Sequence, residues 1–192
     1  MTIDEFWQWM SDSSAELLEA DGQEVADRVE ERLRDIDARI GVEVSGAAEP
    51  REMISTAWSD RAAFDVVRDI VAAAPPLEGW EIIALKPPRG FGFALDLDGL
   101  HIDASELMFD PLSAQEDPRL LGVRVYVPGA ADDDDERLNR ALPLILETGI
   151  GEAAAAQIDH SDFIAGPPHD NKALPIEQLL PYVQWHRKKH GL

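Results

Sequence analysis

Three apolar runs that read as strands lie close together in the middle of the chain, at residues 80–85, 91–97 and 100–103, with only short turns between them. Strands joined this closely pair antiparallel, because a parallel partner needs a crossover of a dozen residues or more. Asp98-Gly99 separates the second run from the third and suits a tight hairpin turn, where both central residues take positive φ. Further strands are expected at 41–46, 51–58, 121–127 and 161–165, while 104–110 reads equally as a helical turn or an edge strand. The sheet is therefore expected to be largely antiparallel, with about 5–7 strands.

Helical periodicity brackets this region. Thr2 followed by Glu5 has the spacing of a capping box, and Ile3, Phe6, Trp7, Met10 and Leu17 form an apolar stripe behind it. After Asp21-Gly22 a second stripe (Val25, Val29, Leu33, Ile36) predicts a helix over 23–39, stopped by Gly41, so the first forty residues read as a helical hairpin. Asp60 offers an N-cap for a helix over 61–74, which Pro75-Pro76 ends. Leu138, Leu142, Ile145 and Leu146 predict another helix, and Pro175 suits the first turn of a last one. The expected architecture is α+β in a single domain over 1–192. It comprises a helical hairpin (1–40), a sheet-rich middle with one helix (41–128) and a helix-rich end (129–192).

Bulk composition narrows the function classes. The 192 residues carry 38 Asp and Glu against 17 Lys and Arg, a formal net charge of -21. A field of that sign repels nucleic acid and anionic membrane and favours a basic partner. With no cysteine, disulfides, zinc–thiolate sites, iron–sulfur clusters and thiol nucleophiles are all excluded. No apolar run approaches the ~20 residues that span a bilayer, and the acidic N-terminus lacks the basic segment of a secretion signal. A cytoplasmic location is expected.

The sequence holds no Gly-x-Gly-x-x-Gly nucleotide fingerprint, Walker loop, His-Glu-x-x-His or Gly-x-Ser-x-Gly elbow. His101 and Asp103 alternate onto one strand face, and His160 with Asp162 and the pair His169-Asp170 add further donors, so these are candidate metal-ligand pairs. Such pairs arise freely in a chain rich in aspartate, so no metal and no cofactor is expected. The run Asp132–Asp135 sits where a helix starts and complements its dipole, without the spacing of a calcium loop.

The segment Lys86-Pro87-Pro88-Arg89-Gly90-Phe91 is the one basic, aromatic turn between strand runs. Two prolines stiffen it, and Arg89 has the geometry to grip a carboxylate or phosphate. Lys86, Arg89 and Phe91 are accordingly candidate binding residues. Trp9 and Trp185, set among polar neighbours, are candidates for lining a groove, whereas Trp7, Trp58 and Trp80 lie in apolar patterns that predict core positions.

Trp80-Glu81-Ile82-Ile83-Ala84 leading into Arg89-Gly90-Phe91, Gly122-Val123-Arg124-Val125-Tyr126-Val127-Pro128, Trp185-His186 and the N-terminal Phe6-Trp7-Trp9 together resemble a family of bacterial proteins without an established activity. The resemblance covers most of the chain. It implies a bacterial, cytosolic α+β protein and transfers no site residue.

The expected function is that of a non-catalytic binding or regulatory protein, of the immunity type, for a basic protein partner. Two alternatives come from other classes: a small metal-dependent hydrolase built on the His and Asp pairs, and a small-molecule sensor with a pocket between sheet and helices.

Overall fold

The computed structural model describes residues 1–46, 49–113, 117–131, 134–169 and 172–192. Asp132, Asp133 and Asp170, named above in acidic or metal-binding patterns, lie outside them. The chain is α+β and forms two compact units, Met1–Lys86 and Pro87–Leu192.

In the first unit, α1 (Ile3–Glu19) starts on the expected capping box, with Thr2 and Glu5 exchanging hydrogen bonds. Asp21 caps α2 (Gly22–Leu33) through the backbone of Gln23. The helix ends well before residue 39, where the stripe had placed its end. Asp37 accepts from the backbone N–H of Arg39 at 3.0 Å, and an aspartate closing such a local turn competes with helical hydrogen bonding. Strands β1 (Gly41–Val44) and β2 (Arg51–Thr56) pair antiparallel, with Gly41 opposite Thr56. A 3-10 turn over Arg61–Ala63, capped by Asp60, then leads into α3 (Phe64–Ala72). Strand β3 (Trp80–Ala84) lies parallel to β2, with Arg51 opposite Trp80. The core of this unit joins Phe6, Met10 and Leu17 of α1 to Val25 and Val29 of α2, Met53 of β2 and Ile70 of α3. Trp7 and Trp80 are buried as expected. Their indole N–H groups reach Ile70 O at 2.8 Å and Ser14 Oγ at 3.1 Å, which satisfies the polar end of each ring.

The second unit begins with the hairpin β4 (Ala94–Leu97) and β5 (Leu100–Asp103). Its turn has Asp98 at φ 50° and Gly99 at φ 84°, the paired positive values that this dipeptide tolerates. The ambiguous stretch after it is both things in turn: a 3-10 turn at Ala104–Glu106, then strand β6 (Met108–Ser113). β6 pairs antiparallel with β7 (Leu121–Val127). After α4 (Asp135–Ile150) and the short α5 (Glu152–Ala155), β8 (His160–Ala165) returns parallel to β7. The two-residue β9 (Leu174–Pro175) borders β6. Pro175 thus ends a bridge rather than opening the last helix. A 3-10 turn over Ile176–Gln178 intervenes before α6 (Leu179–His190). Alternate residues Val123, Val125 and Val127 of β7 point into a core with Phe109, Leu138, Ile145 and Leu179.

Among the described residues the strands are divided among three sheets, of order β1-β2-β3, β4-β5 and β8-β7-β6-β9, where the sequence suggested one. The antiparallel pairs are those joined locally or at the β9 edge; each parallel pair encloses helix. Both larger sheets are built in the same order: an antiparallel hairpin, a helical crossover, and a return strand parallel to the second.

Candidate functional site

The basic turn is not a hairpin. β3 pairs with β2 and β4 pairs with β5, so the segment between them joins two sheets. Lys86 faces back into the first unit. Its side chain is 12% exposed, with Nζ 2.8 Å from Glu43 Oε1 and 4.4 Å from the centroid of the Trp58 ring. The following residues tie onto the end of α4. The N–H groups of Arg89 and Gly90 donate to the carbonyls of Thr148 (2.8 Å) and Gly149 (3.0 Å), groups that a helix terminus otherwise leaves unsatisfied. Phe91, read as an exposed recognition residue, is 5% exposed and belongs to the core of the second unit. Burying its ring contributes about 2–3 kcal/mol, which favours the core position. Arg89 itself is exposed.

The metal-ligand pairs do not form as pairs. His101 turns to Asp96 across the β4–β5 hairpin, at 2.7 Å from Nδ1 to Oδ1, and that carboxylate raises its pKa above the ordinary 6.5. Asp103 instead caps the following 3-10 turn, accepting from Ser105 N at 2.9 Å and Ser105 Oγ at 2.7 Å; these bonds hold its pKa below the usual value. Asp162 pairs with Arg124 on the neighbouring strand at 3.0 Å. His160 is exposed at the start of β8, opposite Gly122. Among the described residues, no three His, Asp or Glu side chains are placed to hold a metal ion. Of the acidic run, Asp134 is buried and serves the local fold, accepting from Ala131 N at 2.8 Å and pairing with Arg137.

The tryptophans separate more sharply than their sequence context suggested. Trp58, expected in the core, is 54% exposed and takes φ 51°; its indole lies against Gly41, where no side chain stands in the way. Trp9 is half-buried, with the Arg32 guanidinium 3.8 Å above its ring. Trp185 is 49% exposed and stands at the mouth of a groove of about 220 Å³ in the second unit. The groove lies between α6 and the ends of β6 and β7.

One wall of that groove is a stripe of α6. Tyr182, Trp185, His186, Lys189 and His190 recur at the three- and four-residue spacing that stacks side chains on one helix face. The Tyr182 and Trp185 rings are 5.3 Å apart and tilted by 46°, and Lys189 Nζ lies 4.7 Å from the Trp185 ring centroid. The opposite wall is aliphatic, with Leu112, Leu120 and Pro118. His186 is buried, and its Nε2 lies 3.2 Å from the Pro118 carbonyl. A carbonyl only accepts, so this nitrogen carries the proton and donates. The His190 ring packs 4.6 Å from that of His186. Desolvation, reinforced by His186 and Lys189, pushes the His190 pKa below its ordinary value.

Of the five candidate binding residues, only Trp185 belongs to this groove. Sequence reasoning missed Tyr182, His186, Lys189 and His190 as a group. Their spacing is the available signal, but basic residues at 187–190 also suit a helix C-terminus, and that role hides the shared face. Chemically, the groove offers flat apolar walls, one ammonium and two imidazoles, a set suited to holding a ligand.

Comparison of the chain with protein-family models, with curated proteins and with solved structures finds no match to any of them. Among the described residues, no helix is long and apolar enough to cross a membrane.

Proposed function

We propose that this protein acts by binding rather than by catalysis, and that its site is the groove beside Trp185, which takes a small molecule. One observation carries the reading: a tryptophan that is half exposed, yet held by Tyr182 and Lys189 at the mouth of a concave, partly apolar surface. Concave sites with apolar walls and a few convergent polar groups are where ligands bind. The test is a two-dimensional NMR screen of planar aromatic fragments that are neutral, cationic or anionic, reading the Trp185 indole N–H resonance assigned through Trp185→Phe. Saturable shifts of that resonance by any fragment support the reading. Shifts by none overturn it.

A basic protein partner is a second reading, supported by the outer surface of α1 and α2. Asp12, Glu16, Glu19, Glu24, Asp27 and Glu31 are all exposed there. Arg28 lies 2.8 Å from Glu16 and 3.6 Å from Glu24 and neutralises only part of that charge. Such a field steers a cationic protein at low ionic strength and is screened by salt. A pull-down that recovers the same basic protein at low and not at high salt is the expected outcome; recovery of none counts against it.

A further inference from the structure

Resting on the groove reading, we infer that the ligand of the Trp185 groove is a small planar aromatic carboxylate, its ring against Trp185 and Tyr182 and its carboxylate at Lys189. The sign of the charge comes first. Acidic residues outnumber basic ones 38 to 17 in this chain, yet among the described residues none of those lining the groove is Asp or Glu. The titratable side chains that face it include Lys189, His186 and His190. The neighbouring carboxylate, Asp117, is held by Arg119 through paired contacts at 2.8 and 2.9 Å, so Arg119 already balances it. The last turn of α6 adds Arg187 and Lys188. An anion entering here meets an ammonium and no lining carboxylate among the described residues, in a chain of large negative net charge.

Shape and size define the rest. The Tyr182 and Trp185 rings supply faces for offset stacking, and Leu112 and Leu120 close the other side. About 220 Å³ falls below the ~300–1,000 Å³ of sites for drug-sized molecules, which fits one small ring system. Lys189 sits where its cation–π contact with Trp185 places the ammonium beside a ring stacked on the same indole. Its three N–H donors suit a carboxylate at the end of such a ring. His186 is already committed to Pro118 through Nε2, so it stiffens the wall.

The experiment titrates the full chain with 1-naphthoate and, separately, with 1-naphthalenemethanol, which has the same ring and no charge. Binding is followed by calorimetry and by the Trp185 indole resonance. The expected dissociation constant for 1-naphthoate is roughly 0.1–1 mM, as suits so few atoms, and the alcohol should bind about tenfold more weakly. Lys189→Gln should weaken 1-naphthoate by about tenfold and leave the alcohol unchanged, while Lys189→Arg retains the preference. Trp185→Leu should weaken both probes. All these positions are exposed, and circular dichroism confirms that the variants fold. Equal binding of the two probes by the wild-type chain overturns the carboxylate inference while leaving the groove reading standing. An unchanged 1-naphthoate affinity in Lys189→Gln overturns the assignment of Lys189. Absence of any shift at Trp185 with either probe overturns the carboxylate inference, and the groove reading falls with it only if every fragment of the screen also leaves that resonance in place.

Discussion

The ring of Phe91 lies against the backbone of Gly149, so close that a Cβ built on Gly149 would overlap it. Together with the hydrogen bonds from Arg89 and Gly90 to the last turn of α4, this contact fixes where the chain enters the second unit. Gly149 sits inside a helix, where alanine ordinarily gains about 1 kcal/mol over glycine. Here the clash decides the sign. Phe91 is 5% exposed and packed in the core of the second unit, and overpacking of this kind costs about 1–3 kcal/mol. Gly149→Ala should therefore destabilise the protein by about 1–2 kcal/mol in urea denaturation, and Phe91→Leu should remove most of that penalty in a double-mutant cycle. A stabilised Gly149→Ala variant would show the ring to be placed elsewhere.

Gly41→Ala presents the same overlap, with the indole of Trp58, and should cost much less. Trp58 is 54% exposed, so its ring swings into water and gives up its contact with Lys86. The expected loss is under about 1 kcal/mol. It should be accompanied by a change in tryptophan fluorescence that Trp58→Phe abolishes. A loss as large as that of Gly149→Ala is the adverse result.

Arg51 is a buried cation whose value lies in carbonyls. It is 3% exposed; its Nη1 donates to Leu17 O (2.9 Å), Leu18 O (3.2 Å) and Ala20 O (2.9 Å), and its Nε donates to Ser45 O (3.2 Å). One side chain thus satisfies the end of α1 and joins it to β2. Arg51→Met keeps the bulk and orphans these acceptors, so a loss of about 3–5 kcal/mol is expected in chemical denaturation. Arg51→Lys should recover less than half, because an ammonium lacks the separate Nε–H donor. Wild-type stability in Arg51→Met would mean that water takes over the carbonyls.

Asp37, Asp117 and His101 set opposite pH dependences. The Arg39 side chain and then its backbone N–H bring Asp37 from 3.8 to about 2, and Arg119 does the same for Asp117. Their folded values lie below the unfolded ones, so what they contribute is complete above about 3.8 and fades as pH falls through about 2. His101, raised above 6.5 by Asp96, contributes fully below 6.5 and loses that contribution as pH rises through its raised value. NMR titration should give midpoints near 2 for both aspartates and above 6.5 for His101, with Asp96→Asn lowering the last. An Asp37 midpoint at 3.8, or a His101 midpoint at or below 6.5, contradicts these pairings.

Local signals were legible wherever a residue's role was set by its near neighbours. The Thr2–Glu5 capping box, the Asp98-Gly99 turn and the strand at 121–127 all read directly from the chain. What was not legible depends on partners remote in sequence. Phe91 and Phe93 continue the alternation of β4, yet Phe91 leaves that pattern because a glycine more than fifty residues later offers it a surface. Arg51 reads as the polar start of a strand; nothing nearby tells of the helix end that it serves. Trp58 looked apolar in context and is held outside by a backbone at positive φ. For the site, Trp185 was legible as an aromatic among polar residues. Its companions shared its helix face, but the aliphatic wall opposite came from the loop and strands some seventy residues earlier.

The repeated order of hairpin, helix and parallel return leaves every strand pair on one side or the other of the bond between Lys86 and Pro87. During synthesis both strand pairs of the first sheet are available once Ala84 has emerged, before β4 exists. Its edge is therefore never left waiting for a distant strand, which is the interval in which a growing chain is most prone to pair with another copy.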